Sequence, residues 1–217
     1  MKIGVLGTGV VGSTIGTKLI ELGHEVKMGS RDAENAKGLA WVAQHPERAS
    51  LGTFNEAASF AELLFNCTHG QAALDILQSI EAQHLDGKVL LDLTNPLDFS
   101  KGMPPTLTVC NTDSLGEQIQ RSFPKLNVVK TLNTMWCGLM VEPGMINNGN
   151  HNAFICGNDA GAKQVAREML LSFGWKVETI LDLGDITNAR GTEMWLALWV
   201  RLYGSAGNGA FNMHIVQ

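Results

Sequence analysis

The sequence predicts an α/β protein: a doubly wound, mostly parallel sheet with a small helical part at its C-terminal end. Three observations lead there. Short apolar runs alternate with helically spaced apolar residues from residue 2 to residue 181, the pattern of strands joined to parallel neighbours by crossover helices. The first run ends in the glycine cluster Gly7-Thr8-Gly9-Val10-Val11-Gly12 and passes straight into a helical pattern. Beyond the loop around 181–186 the pattern is purely helical, which divides the chain into residues 1–181 and a helical segment 182–217 packed on them. A length of 217 residues with 45% hydrophobic content suffices for one large core.

The elements follow in order. Residues 2–7 read as the first strand, and 10–22 as a helix with Ile15, Leu19 and Leu22 on one face, stopped by Gly23. Residues 25–29 form the next strand, 31–44 a helix, 50–54 a short strand and 61–68 a continuous apolar strand. A helix over 71–83 leads to 88–93, a strand of the kind buried on both faces. A loop rich in Pro, Thr and Asn (95–112) precedes Ser114-Leu115-Gly116-Glu117, whose capping-box spacing starts a helix to about 123. Then come a strand over 127–133, an irregular stretch over 135–150, a strand over 152–156 and a helix over 159–173. A final strand over 176–181 and a long helix over 187–203 complete the pattern. Gly204, Gly207 and Gly209 mark the end as a turn plus a short helix.

Composition removes several function classes. With 21 Asp and Glu against 16 Lys and Arg, the net charge of −5 lacks the basic footprint of a nucleic-acid binder. Cys67, Cys110, Cys137 and Cys156 form no C-x-x-C pair and sit in or beside apolar stretches. They read as free thiols in a reducing compartment rather than a zinc site or a disulfide framework. The N-terminus begins directly as a strand, without a charged leader and cleavage site. The most apolar helical stretch, from Met194 to Val200, falls far short of the roughly 20 residues that span a bilayer. The expectation is a cytoplasmic protein with no membrane partner and no metal.

The glycine cluster carries the chemistry. G-x-G-x-x-G between a strand and a helix is the fingerprint of dinucleotide binding in a Rossmann domain. Gly7 allows the tight turn, Gly9 the approach of a pyrophosphate, and Gly12 the packing of helix on strand, while the N–H groups at Thr8, Val10 and Val11 face the diphosphate. At the end of the second strand an NAD-selective site carries an acid. Here Met28-Gly29-Ser30-Arg31 stands instead, with Arg31 lying 22 residues after Gly9. Ser30 can donate to a 2′-phosphate oxygen, and Arg31 can clamp the phosphate and stack on adenine. The first domain is therefore expected to bind NADP rather than NAD.

Polar residues recur at the later strand ends: Thr68 and His69, Asn95 and Pro96 after Thr94, and Asn133 with Met135. They are the candidates to line the nicotinamide and its ribose. Asn95 and Thr94 serve equally well as caps of the turn before Pro96. His69 is the one attractive proton donor, although a lone loop histidine more often bonds or stacks. The only tyrosine, Tyr203, has Gly207 rather than a lysine four residues on, so no Tyr-Lys acid/base pair exists, and no G-x-S-x-G or phosphate-binding G-K-[ST] occurs. No catalytic residue is therefore assigned with certainty. Direct hydride passage between stacked planar rings suits such a chain, because it needs proximity and orientation more than proton transfer.

These residues resemble the F420-dependent NADP oxidoreductase family, which is also similar to the NADPH-binding domain of the six-transmembrane metalloreductases. The matching stretches are Ile3-Gly4-Val5-Leu6-Gly7-Thr8-Gly9, Gly29-Ser30-Arg31, Asp92-Leu93-Thr94-Asn95-Pro96, Val128-Val129-Lys130-Thr131-Leu132-Asn133-Thr134 and Ile155-Cys156-Gly157-Asn158-Asp159. They continue through Asn188-Ala189-Arg190 and Glu193 to Gly207-Asn208-Gly209. The resemblance implies NADP at the glycine motif and a deazaflavin, coenzyme F420, over the nicotinamide in a pocket built partly by the C-terminal segment. Archaeal members carry His-Thr-Ile-Pro where this chain has Asn133-Thr134-Met135-Trp136. Trp136 is thus placed to stack a flavin, FMN or FAD, or to close the pocket on a small substrate. Three readings stay open: a reductase passing hydride to F420 or a flavin, a reductase of a small imine or carbonyl with His69 as donor, and a non-catalytic NADP(H) sensor. Met194, Trp195, Leu198, Trp199 and Leu202 form a helical stripe, read either as core packing or as a homodimer face. Arg190 and Glu193, three apart, read as an ordinary surface pair.

Overall fold

The computed structural model describes residues 1–216; Gln217, the last residue of the expected helical segment, lies outside the described residues. The strands are β1 (Lys2–Leu6), β2 (Glu25–Ser30), β3 (Ala49–Thr53), β4 (Leu63–Asn66), β5 (Val89–Asp92), β6 (Leu97–Asp98), β7 (Thr106–Leu107), β8 (Asn127–Thr131), β9 (Ala153–Gly157) and β10 (Ile180–Asp182). Apart from the small β6–β7 hairpin they form one 8-stranded sheet in the order β10-β9-β8-β5-β4-β1-β2-β3. Every pairing in it is parallel except β8 with β9. The order reverses between β1 and β4, and that reversal opens a crevice at the carboxyl ends of the strands.

Strand side chains alternate between two cores. Ile3 and Val5 of β1, Phe65 of β4, Leu91 of β5 and Val129 of β8 face one cluster. It is closed by α1 (Val10–Glu21), α2 (Ala36–Gln44), α6 (Cys137–Val141) and α7 (Ala160–Ser172). Leu6, Leu64, Leu90 and Val128 face the other, under α3 (Phe54–Phe60), α4 (Ala73–Gln78), α5 (Leu115–Ser122) and α8 (Ala189–Met194). Burial on both faces is why these strands read as unbroken apolar runs. Ile186 and Ala189 lie in this second cluster, so the segment after β10 is built into the core.

Several expectations change. The helix expected over 31–44 starts only at Ala36, where the Asn35 side chain accepts from the Gly38 N–H at 3.1 Å. The apolar strand expected over 61–68 is the shorter β4, and α3 precedes it unforeseen. Thr53 opens α3 with a full capping box: its hydroxyl accepts from the Glu56 N–H, and Glu56 Oε2 accepts from the Thr53 N–H at 2.7 Å. Residues expected to begin the last strand form a 3-10 turn, Val177–Thr179, before β10. The long helix expected over 187–203 breaks at Trp195 into α8 and α9 (Leu196–Ala206). Gly207, at φ 72°, ends α9, and the described residues beyond it form no helix.

The helical stripe also resolves differently. Leu196 and Val200 are the buried positions, whereas Met194, Leu198 and Leu202 are exposed at 39%, 50% and 37%. Trp199 instead stacks on Tyr203 at 5.3 Å and meets Phe211 at 5.5 Å.

Candidate functional site

A cleft of about 890 Å³ lies at the carboxyl ends of β1, β2 and β4. Its floor is the turn from β1 into α1. Gly7 sits at φ 116°, and a Cβ there would fall 2.7 Å from the Cys67 carbonyl oxygen. At Gly12 a Cβ would fall 2.0 Å from the Gly7 carbonyl oxygen, so only glycine lets α1 start this close to β1. Above Gly9 a Cβ would meet nothing within 4 Å. Gly9 caps α1 without a side chain, and the first turn holds no acid. The first N–H groups of α1, at Val10 and Val11, therefore face the cleft with the positive end of the helix dipole behind them. Open space over unpartnered donors fits a diphosphate.

The cleft brings together Gly7, Thr8, Gly9, Val10, Val11, Ser30, Arg31, Thr68 and His69, with Gly12 directly beneath. Ser30 is buried and its hydroxyl is committed: it donates to the Asp32 carbonyl at 2.7 Å and accepts from the Asp32 N–H at 3.1 Å. Asp32 accepts in turn from the Glu34 N–H at 2.8 Å. Arg31 is exposed at the rim and has no hydrogen bond or ion pair among the described residues. Arg31, rather than Ser30, is thus the donor free for an anion. The opposite wall comprises Phe54 of α3 and Ala72, Asp75, Ile76 and Ser79 around α4. The helix expected over 71–83 supplies most of that wall, and Phe54 enters it through the unforeseen α3.

His69 is exposed, and its ring lies tilted on Phe99 at 6.1 Å. Its ring makes no hydrogen bond among the described residues. The other four strand-end candidates do not line this cleft. Asn95 and Asn133 bond each other: Asn95 Nδ2 donates to the Asn133 carbonyl at 2.8 Å, and Asn133 Nδ2 donates to Asn95 Oδ1 at 2.9 Å. Pro96 is buried and its carbonyl accepts from the Thr108 N–H at 2.8 Å, while Met135 belongs to the first core. Leu132, beside Asn133, holds φ 57°, a left-handed conformation costly for leucine.

One polar set went unread in the sequence. Asn66, Asp92 and Lys130 are register partners on β4, β5 and β8. Their side chains form a row: Asn66 Nδ2 donates to Asp92 Oδ1 at 3.0 Å, and Lys130 Nζ lies 2.9 Å from Asp92 Oδ2. Glu193 of α8 lies on the far side of Lys130 at 2.8 Å. Its carboxylate also accepts from the N–H groups of Leu115 and Gly116, which open α5, at 2.8 and 3.0 Å. Burial alone would lower the Lys130 pKa, but the two carboxylates outweigh it and raise it above the ordinary lysine value. The Arg190–Glu193 surface pair is therefore corrected. Glu193 is only 1% exposed, and Arg190 pairs instead with Glu117 at 2.6 Å. An acid at a helix N-terminus outweighs an i, i+3 contact on the surface.

Among the described residues no His, Cys, Asp and Glu group converges on a metal site, and no helix is long and apolar enough to cross a membrane.

The comparisons agree with this geometry. A family model described as NADP oxidoreductase, coenzyme F420-dependent, matches residues 2–96. A solved structure from Arthrobacter sp. FB24, described as a candidate F420-dependent NADP-reductase, is 49% identical, covers 100% of both chains and superposes with a TM-score of 0.95. The F420-dependent NADP reductase of Methanothermobacter marburgensis is 39% identical over 47% of this chain and 48% of its own length. The rat metalloreductase STEAP3 is 29% identical over 88% of this chain and 36% of its own length. The chain thus spans between about a third and a half of the curated relatives it matches. Fold, glycine turn and these matches together place the chain in the class of NADP-dependent oxidoreductase families. The chain belongs to the F420-dependent NADP oxidoreductase family.

Proposed function

We propose that the protein passes a hydride between NADP(H) and the deazaflavin ring of a coenzyme F420-type acceptor. The observation that carries the nucleotide half is an unpartnered Arg31 in the same cleft as the open glycine turn. In this reading residues 1–181 form the nucleotide-binding domain. Gly7, Thr8, Gly9, Val10, Val11 and Gly12 hold the diphosphate; Arg31, steadied by the Ser30 turn, holds the 2′-phosphate; Thr68 and His69 face the nicotinamide half. Asn95, Pro96, Asn133 and Met135 act from behind, by fixing the strand-end loops. The full-length similarity to the Arthrobacter protein supports the deazaflavin half. When bound, the nucleotide would supply the hydride and solvent the proton that completes the reduced acceptor ring, while the chain supplies orientation rather than a proton donor.

NADPH oxidation measured with F420, FMN and FAD offered separately tests this. Turnover with F420 alone is expected; turnover only with FMN or FAD refutes the acceptor. Reduction of a small imine or carbonyl is the second reading, favoured by the exposed His69 ring in the cleft. It requires His69→Ala to abolish turnover with NADPH affinity unchanged. NADPH binding without turnover on any acceptor leaves the sensor.

The residues from 182 onward pack on the domain and, through exposed Met194, Leu198 and Leu202, pair two copies. Leu198→Glu then yields a monomer by light scattering, and an unmutated protein that is already monomeric overturns the dimer. Four free cysteines fit a cytoplasmic setting.

A further inference from the structure

The buried row Asn66–Asp92–Lys130 lies one or two residues below the loops that close the crevice. Thr68 donates through its hydroxyl to Asn66 Oδ1 at 2.7 Å, and its N–H reaches the same oxygen at 3.4 Å. Thr94 repeats the pattern on Asp92 Oδ1, at 2.8 Å from its hydroxyl and 3.3 Å from its N–H. Lys130 Nζ adds a bond to the Thr94 carbonyl at 2.5 Å. Asp92 therefore receives Asn66, Thr94 and Lys130 at once, and both strand-end loops hang from one carboxylate.

That carboxylate is fully buried, as is the Lys130 ammonium it holds. An Asp–Lys pair alone would satisfy the charge. The second acid, Glu193, comes from α8, whose only other polar ties to the body are Arg190 to Glu117 and Trp195 Nε1 to the Thr134 carbonyl at 3.0 Å, among the described residues. Buried ion networks are seldom retained for stability, since apolar residues of equal volume stabilise as well. A row that ends on a cleft-lining threonine has a geometric use instead.

We infer that Asp92, Lys130 and Glu193 are positioning residues for the nicotinamide half of the nucleotide: through Asn66 and Thr94 they fix the loops after β4 and β5, and through Glu193 they make that placement depend on the docking of α8. The inference rests on the NADP reading of the cleft. None of the three touches the nucleotide. Their effect is weighted toward one end, because Arg31 follows β2 and the Gly7 N–H is held by the Gly29 carbonyl at 2.9 Å, while the turn meets the loop after β4 only where Gly7 lies against Cys67.

The test compares NADPH with 2′,5′-ADP, which carries the adenosine and 2′-phosphate but no nicotinamide. In Asp92→Asn the NADPH dissociation constant should rise about tenfold, the worth of one hydrogen bond to a charged group. That for 2′,5′-ADP should stay within about twofold. Glu193→Gln, which keeps the side-chain shape, should show the same selectivity at smaller size and carries the test should Asp92→Asn fail to fold. Equal weakening of both ligands, or no weakening of NADPH in a folded variant, overturns the inference. An unmutated protein that binds NADPH but not 2′,5′-ADP overturns the placement of the 2′-phosphate instead, and the row's proposed weighting toward the nicotinamide end falls with it.

Discussion

Truncation of Arg31 separates a phosphate clamp from a surface charge. Arg31 is exposed and has no partner among the described residues, so Arg31→Ala removes no internal bond. The folded state should lose no more than about 0.5 kcal/mol, the usual range for such surface changes. Binding is another matter. Ser30 cannot substitute, because its proton is spent on the Asp32 carbonyl at 2.7 Å. The 2′-phosphate would then lose its one unencumbered cationic donor, a charged hydrogen-bond pair worth about 1.5–3 kcal/mol. At about 1.4 kcal/mol per factor of ten, the NADPH dissociation constant should rise about 10- to 150-fold. NADH lacks the phosphate and should change by less than about twofold. Calorimetric titration of both nucleotides at two salt concentrations reads the difference, and the NADPH loss should shrink at high salt as the charge is screened. Equal losses for NADPH and NADH would refute the clamp.

Other consequences follow from the same contacts. Gly12→Ala places a Cβ 2.0 Å from the Gly7 carbonyl oxygen. It should cost about 1–3 kcal/mol by chemical denaturation and abolish measurable NADPH binding, since the turn must open; tight binding in this variant would contradict the assigned floor. Lys130→Met leaves Asp92 and Glu193 buried without their cation and should cost about 3–5 kcal/mol, read as a lowered urea midpoint. His151 is held neutral: its Nε2 lies 2.9 Å from the Pro143 carbonyl, to which it donates, and its Nδ1 accepts from Asn212 at 2.8 Å. Burial, with His214 nearby, lowers its pKa from 6.5. Above that value folded and unfolded chains bind the same protons there. As pH falls below it the unfolded chain takes up a proton that the folded chain refuses, so stability declines from about pH 6.5 downward. His151→Gln should flatten that decline in denaturation midpoints measured from pH 7.5 to 5.5, leaving the contribution of His24, whose pKa burial lowers in the same direction. An unchanged slope would remove His151 from the account.

How much of this was legible follows from where each signal lives along the chain. The glycine turn is local: a strand, three glycines at fixed spacing and a helix lie within residues 2–21, and Gly12 meets the Gly7 carbonyl inside that stretch, although Gly7 itself lies against Cys67. The strands were legible because two-sided burial makes them apolar throughout. Helix α3 was not, although Thr53 and Glu56 carry the capping-box spacing, because Phe54, Ala57 and Ala58 continue the apolar character of the strands on either side. The buried polar row was half legible. Asp92 and Lys130 are the lone charges of β5 and β8, each directly after an apolar run, and a buried charge there requires a partner of opposite sign at the same level of the sheet. Register supplies it, since parallel neighbours place Asp92 against Lys130 directly. Glu193 left no such mark. It sits in a helix that is amphipathic by any reading, and its partners lie 63 residues away in β8 and 77 and 78 residues away at the start of α5. Local periodicity cannot distinguish an acid that faces water from one that faces a buried ammonium and a helix N-terminus; only the docking of α8 decides between them. On the proposed reading, the nicotinamide end of the cleft thus depends on the contact the sequence shows least, that of Glu193 with Lys130.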